Sequence, residues 1–438
     1  MNMETGVKES IFQAGVVGAG GAGFPAHIKI DCKVQTVIAN GAECEPLLRV
    51  DQLIMKHFAH EVVGGLQAVM AHTGAKKGVI ALKKHYALAI AALQAAIKGT
   101  GIKLLLLKSF YPAGDEQEII YEATGRVVPT GGLPADVGAL VFNVSTLKNI
   151  FKAINGEPVV SKYVTVCGAV HKPVTILAPI GTSVNVLIDA AGGMTGPGRV
   201  VIGGPCMGAL AEVGGTVVTK TTGGVLCLPE GHMLLSKKAD LCPPDMKLAK
   251  SVCCQCQICT QICPRNALGL HVLPNKAMLA VANSDGKLLS SYNGIFSCSE
   301  CGLCTLYACN FGLKPSAVMQ ILKRELLACG EKPQKEVYCG VDGGKEAKKV
   351  PVSRLIARLD VSKYDVEAPM GPEISARSVR IPLKMHVGAP GVPVVQADDT
   401  VQKGDLIAEA AGGISARTHA SITGTVRTIG RDFIEIRE

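Results

Sequence analysis

The sequence predicts a multidomain α/β protein, and three observations support this. Strand-like runs alternate with helical patterns over the first third, two compact cysteine runs span 253–263 and 298–309, and short β-like runs broken by Gly and Pro fill much of the rest. A chain of 438 residues is too long for one core and divides into units of about 100–200 residues. The expected units are a Rossmann-like domain at 1–157, a β-grasp module at 158–228, a cysteine domain at 229–335, a linker at 336–375 and a β-rich domain at 376–438.

In the first unit, residues 15–25 read GVVGAGGAGFP. Glycine lets backbone amides come close to a phosphate where side chains would block them, although such density also serves ordinary tight turns. Residues 34–39 read as a strand ending in the turn NGAECEP at 40–46, and a helical pattern runs from about 48 to 71. Residues 78–82 form a second strand, 86–97 a helix and 102–107 a third strand. This alternation implies a parallel sheet, whose ligands sit at the carboxyl ends of the strands.

From 163 to about 212 the pattern becomes short β-like runs at 163–168, 174–177 and 199–205. Cys206, Cys227 and Cys242 have no ligand spacing, and single cysteines are commonly small buried residues. After the second cysteine run, 315–329 reads as an amphipathic helix carrying Val318, Ile321, Leu322, Leu326 and Leu327. The lysine-rich stretch 331–349 suggests a linker. In the tail, VQKGDLIA at 401–408 and ASITGTV at 420–426 look like a barrel-sandwich hybrid of the lipoyl and biotinyl type. No lysine lies at 410–417 to carry such a group, so a structural role is expected; lone His386 and His419 are expected to pack or face solvent.

Residues 253–264, CCQCQICTQICP, fit C-x2-C-x2-C-x3-C-P, the bacterial ferredoxin spacing for a [4Fe–4S] cluster. The second run, Cys298, Cys301, Cys304 and Cys309, has one extra residue before its last cysteine and Asn310 in place of proline. Because the fourth cysteine crosses over in two-cluster ferredoxins, Cys253, Cys256, Cys259 and Cys309 are expected to hold one cluster and Cys298, Cys301, Cys304 and Cys263 the other. Cys254 breaks the three-residue step and is expected to be a non-ligand. The bland readings are zinc, which wants C-x2-C pairs about 15–20 residues apart, and disulfides, which the cytosol disfavours.

Composition narrows the classes further. Hydrophobic residues make up 48% and charged ones 18%, as in a compact globular protein rather than a disordered one. No apolar run reaches the roughly 18 residues of a membrane helix, and 1–10 lack a signal-peptide pattern, so the chain is expected to be cytoplasmic with no membrane span. The charge of +9 comes from dispersed lysines, and no basic stripe interleaved with aromatics suggests nucleic acid. No Ser/His/Asp or Cys/His arrangement calls for a catalytic side chain.

GAGGAGFPAHIK at 18–29, NGAECEP at 40–46, GDEQ at 114–117 and NVST at 143–146 resemble, in order, the flavin and NADH motifs of the complex I flavin subunit, and still more those of the Rnf complex C subunit. The resemblance implies a Rossmann-like FMN/NADH domain, an SLBB-like β-grasp module, a two-cluster ferredoxin-like domain and a C-terminal barrel-sandwich hybrid. Carried over by position, Gly18, Gly20, Gly21, Asn40, Glu43 and Asn143 would hold FMN, Gly23 would complete the loop, and Phe24, Lys29 and Glu45 would contact NADH. Ala42 replaces an aspartate of the complex I flavin protein, and Cys32 a second aromatic for the adenine. The barrel-sandwich hybrid here follows the clusters, whereas in the Rnf protein it comes first. That order resembles the cobalamin reductases of propanediol-utilisation microcompartments. The implied activity is NADH-dependent cobalamin reduction through FMN and two [4Fe–4S] clusters, with an adenosyltransferase and shell proteins as partners. The alternatives are an NADH dehydrogenase regenerating NAD in a microcompartment, or a non-catalytic Rnf-like electron-transfer subunit.

Overall fold

The computed structural model describes residues 3–283, 293–336 and 340–438. The first domain contains β1 (Thr36–Gly41), β2 (Lys77–Lys83), β3 (Lys103–Leu107), the two-residue β4 (Phe110–Tyr111) and β5 (Ala139–Asn143). All but β4 form a parallel sheet in the order β3-β2-β1-β5. β1 is buried along nearly its whole length, as expected of a parallel strand covered on both faces. The helical pattern expected over 48–71 is broken into Val50–His57 and Ala59–Thr73. The break falls at Phe58, which leaves the helical backbone, while its ring packs 5.7 Å from that of Tyr163 and under the Lys148 ammonium at 4.6 Å.

The second unit adds β6 (Ser161–Gly168), β7 (Val174–Pro179), β8 (Gly198–Ile202), β9 (Ala209–Ala211) and β10 (Gly224–Pro229). The helix Val184–Ala190 starts at Ser183, whose side chain accepts from Asn185 N–H at 3.3 Å. It buries Val184, Leu187 and Ile188 against Val164, Val166 and Val225 of the sheet, a β-grasp arrangement.

Residues 336–375 are not the free linker expected. Within their described part, β11 (Val350–Pro351) pairs with β4, and β12 (Met370–Glu373) lies parallel to β7. The β-grasp sheet therefore runs β12-β7-β6-β10-β8-β9. Between these strands Leu355, Ile356, Leu359 and Val361 enter the core that holds Leu47, Tyr111 and Leu303. Lysines and glycines hide this apolar pattern in the sequence, but burying it straps three units together.

The tail forms β13 (Ser378–Pro382), β14 (Val392–Pro393), β15 (Thr400–Val401), β16 (Leu406–Glu409), β17 (Thr418–His419), β18 (Gly424–Ile429) and β19 (Phe433–Arg437). They make two sheets, β13-β19-β18-β15 and β14-β16-β17, consistent with a barrel-sandwich hybrid. The tip at 410–417 is held by a two-point pair in which Arg417 donates to both carboxylate oxygens of Glu409 at 2.7 Å. Ile381, Ile407, Ile434 and Ile436 belong to the same core as Ile11 and Val16, so the tail packs onto the first domain. The cysteine domain gathers the helices Pro243–Val252, Pro274–Asn283 and Pro315–Ala328 around Leu268, Met278, Ile295 and Met319.

Candidate functional site

In the first sheet the chain steps from β1 to β2 on one side and later returns to β5 on the other. The strand order therefore switches between β1 and β5, where open α/β sheets place their ligands. Asn40 and Asn143 are register partners at the carboxyl ends of these two strands. A cavity of about 410 Å³ opens there, within the roughly 300–1,000 Å³ usual for small-ligand sites.

Gly18, Gly20, Gly21, Gly23, Phe24 and Lys29 line one side of this cleft, and Asn40 and Asn143 its floor. The loop fits a phosphate-bearing planar ligand. A Cβ on Gly20 would stand 2.8 Å from Asn143 Nδ2, whereas one on Gly21 would meet nothing within 4 Å and would project into open space. Gly23 has φ +75°, and a Cβ there would press on the Met385 carbonyl at 2.9 Å. The Asn143 amide is oriented from both ends: its Oδ1 accepts from Ser145 N–H and its Nδ2 donates to Asp51, both at 2.8 Å.

Two expected cofactor contacts do not reach the cleft. Glu43 is half-buried and accepts from Asp51 N–H at 3.2 Å; desolvation pushes its carboxyl upward, and the neighbouring Asp51 adds to that shift. Glu45 accepts from the backbone N–H groups of Cys206, at 2.8 Å, and Met207. A half-buried carboxylate still needs donors, and the β-grasp loop supplies them. That loop passes so close that a Cβ on Gly204 would overlap Glu45 Oε2 at 2.2 Å. Lys29 stays at the cleft but pairs with Glu116 at 2.8 Å and lies 5.2 Å from the Phe142 ring centre.

Opposite the glycine loop, Asp115, Arg265 and Cys301 complete the wall. Asp115 caps the helix Glu116–Thr124, accepting from Gln117 N–H and Glu118 N–H at 3.1 Å. Its other oxygen accepts from Arg265 Nη2 at 2.8 Å, with side-chain exposures of only 6% and 11%. This pair ties the cysteine domain to the cleft. Sequence reasoning missed it; the signals were the D-E-x-E start of a helix and an arginine just after Cys263-Pro264.

The two cysteine runs wrap alike. Gln255 and Gln257 in the first, and Glu300 and Gly302 in the second, sit at corresponding positions and all have left-handed backbone. Cys259 and Cys263 are separated by one α-helical turn, Ile258–Gln261, and Cys304 and Cys309 by a π-helical turn, Cys304–Ala308. The wider π turn absorbs the extra residue of the second run. Asn310, in place of the proline, is tethered to Arg358 Nη2 at 2.7 Å.

Cys253, Cys256, Cys259 and Cys309 line one pocket together, and Cys254 lines it with them. Cys304 feels the thiols of Cys301, Cys298 and Cys263 before that of Cys259. The structure thus places Cys309 with the first run and Cys263 near the second, as the crossed assignment expects of its fourth ligands. Burial pushes all four thiols of the second quartet upward, Cys301 to about 12. Binding iron there must therefore displace protons. Among the described residues, no three His, Cys, Asp or Glu side chains converge on a single ion. A cubane instead takes each thiolate on a different iron.

A glycine-lined cleft at a switch point, walled by a cysteine from one of two quartets, defines a flavin and iron–sulfur oxidoreductase. Comparison with known families agrees segment by segment. Residues 11–152 match the Nuo51 FMN-binding domain, 163–210 the SLBB domain, 252–314 a 4Fe-4S dicluster domain and 363–436 the RnfC barrel sandwich hybrid domain. The chain carries FMN and two [4Fe–4S] clusters. It is 41% identical to the cobalamin reductase PduS of Salmonella typhimurium, covering 98% of this chain and 96% of that protein, and 39% identical to PduS of Citrobacter freundii over equal shares. It belongs to the PduS cobalamin reductase family. A component of the Na(+)-translocating ferredoxin:NAD(+) oxidoreductase complex of Acetobacterium woodii, its C subunit, is 38% identical, over 61% of this chain and 59% of that protein. Among the described residues, no helix is long and apolar enough to cross a membrane.

Proposed function

We propose that the chain is an NADH-dependent cobalamin reductase of a propanediol-utilisation microcompartment, with FMN in the glycine-lined cleft and the two crossed quartets as cluster ligands. FMN supplies the conversion needed here, since NADH gives two electrons as hydride whereas clusters and corrin cobalt take one at a time. The observation that carries the reading is that Cys301 both walls the cleft and belongs to the second quartet. Gly20, Gly21, Asn143 and Thr146 hold the ligand against the switch point, and Phe24 and Lys29 flank the nicotinamide side. Asp115 and Arg265 keep the cysteine domain seated against it. Adenosyltransferase and shell proteins are the partners this role calls for.

The engagement of Glu45 by the β-grasp loop, together with Cys32, favours a second reading, a transfer subunit of the Rnf type that takes electrons from a partner rather than from NADH. An anaerobic assay separates the two. Protein loaded with FMN, iron and sulfide is mixed with NADH, and flavin bleaching and cobalamin absorbance are followed beside a ferricyanide control. The reductase reading expects bleaching and cobalamin reduction at rates comparable to the control. Bleaching without cobalamin reduction would move the function to NAD regeneration, and no bleaching would favour the transfer subunit.

A further inference from the structure

Lys162, near the start of β6, extends from the β-grasp sheet toward the first domain and is 6% exposed. Its Nζ donates to the Ala19 carbonyl at 2.8 Å, and Ala19 N–H donates to Thr146 Oγ1 at 2.9 Å. Residue 19 of the glycine loop is thus held on both sides. In a planar trans peptide the carbonyl and the next N–H point in opposite directions. With the Ala19 carbonyl drawn back to Lys162, the Gly20 N–H turns away from the lysine, toward the cleft that Gly20 lines.

The charge that Lys162 carries is felt by buried Asp51 and half-buried Glu43. Burial lowers the lysine to about 8, and these carboxylates act against that shift. Asp51 in turn receives Asn143 Nδ2 at 2.8 Å and Ser145 Oγ at 3.4 Å. One buried lysine and one buried aspartate, from two different modules, therefore stand behind the loop and the asparagine that line the cleft. We propose that Lys162 is a positioning residue of the flavin site, aiming the Gly20 N–H at the ligand and, with Asp51, fixing the Asn143 amide. This rests on the FMN reading of the cleft. It gives the β-grasp module a defined part in flavin binding beyond bracing.

The test measures FMN affinity and flavin midpoint potential anaerobically in the full chain, with both cluster signals as the measure of folding. Lys162→Met alone strands the buried Asp51 carboxylate and risks misfolding, so Lys162→Met is combined with Asp51→Asn, which removes both charges at similar volume. The double variant is expected to keep both cluster signals but bind FMN roughly two- to tenfold more weakly, the effect of one ordinary hydrogen bond, with a shifted potential. Lys162→Arg is expected to recover much of the affinity. A folded double variant with wild-type affinity and potential would overturn the proposal. Gly21→Phe, which fills the cleft, serves as the control. If it abolishes FMN binding while the double variant does not, only the role of Lys162 falls; if it leaves FMN bound, the cleft assignment and the role of Lys162 both fall.

Discussion

The two cysteine loops share one backbone path but not one environment. The loop carrying Cys298, Cys301 and Cys304 is wrapped by other units: buried Tyr111 donates to the Cys301 carbonyl at 2.7 Å, and Leu303 and Leu306 pack among Leu47, Leu48 and Leu355. The loop carrying Cys253, Cys256 and Cys259 faces outward, with Cys256 exposed and Ile258 and Phe311 39% and 48% exposed beside it. Local sequence sets the shape of a cluster loop, and packing sets its place in an electron route. The inner quartet borders the flavin cleft, and the outer one meets the surface where an acceptor can approach.

The largest expected effects come from deleting one proposed ligand of each quartet. Cys301→Ala should erase one cluster signal in electron paramagnetic resonance and reduce acceptor turnover to the level of iron-free protein. Cys256→Ala should erase the other signal; in both variants FMN should stay bound, and its loss by equilibrium dialysis would show that cleft and cysteine domain are not independent. Next comes Arg265→Ala, which leaves Asp115 buried without its partner and should cost about 3–5 kcal/mol in denaturant titration. An equal cost from Lys323→Ala, which breaks the more exposed Glu300 pair, would contradict the burial argument.

Chelation distinguishes the sites by access. A hydrophilic iron chelator should bleach the outer cluster first, leaving the inner signal, and simultaneous loss would contradict the difference in exposure. The smallest effects concern the left-handed positions. Gly302→Ala should destabilise by roughly 1–2 kcal/mol, since φ is +78° and a Cβ would lie 3.0 Å from Leu306 Cδ1. Gln257→Gly at the matching exposed position should stabilise by less than about 1 kcal/mol, because relief of backbone strain is partly offset by the freer unfolded chain.

Much of this arrangement was legible in the sequence because it follows from local rules. Cysteine steps of three residues dictate a wrapping loop, and strand–helix alternation dictates a parallel sheet with its ligands at the carboxyl ends. What stayed hidden depends on contacts distant in sequence. Glu45 carries no mark that Cys206 and Met207, some 160 residues later, will bind its carboxylate. Lys162 looks like any strand lysine until its partner Ala19 is seen 143 residues earlier. The strap at 350–373 hid for a different reason: its two short pairing strands are too brief for a periodic signal, and its apolar residues are interrupted by charges.

The central claim is an ordered route from the flavin cleft through the inner cluster to the outer one. It is tested most directly by mixing each cysteine variant anaerobically with NADH, freezing the samples within milliseconds and recording the spectrum of the surviving cluster. The account predicts that the inner cluster of Cys256→Ala is reduced as fast as in the unmodified protein, whereas the outer cluster of Cys301→Ala stays oxidised. Rapid reduction of the outer cluster in Cys301→Ala would contradict it.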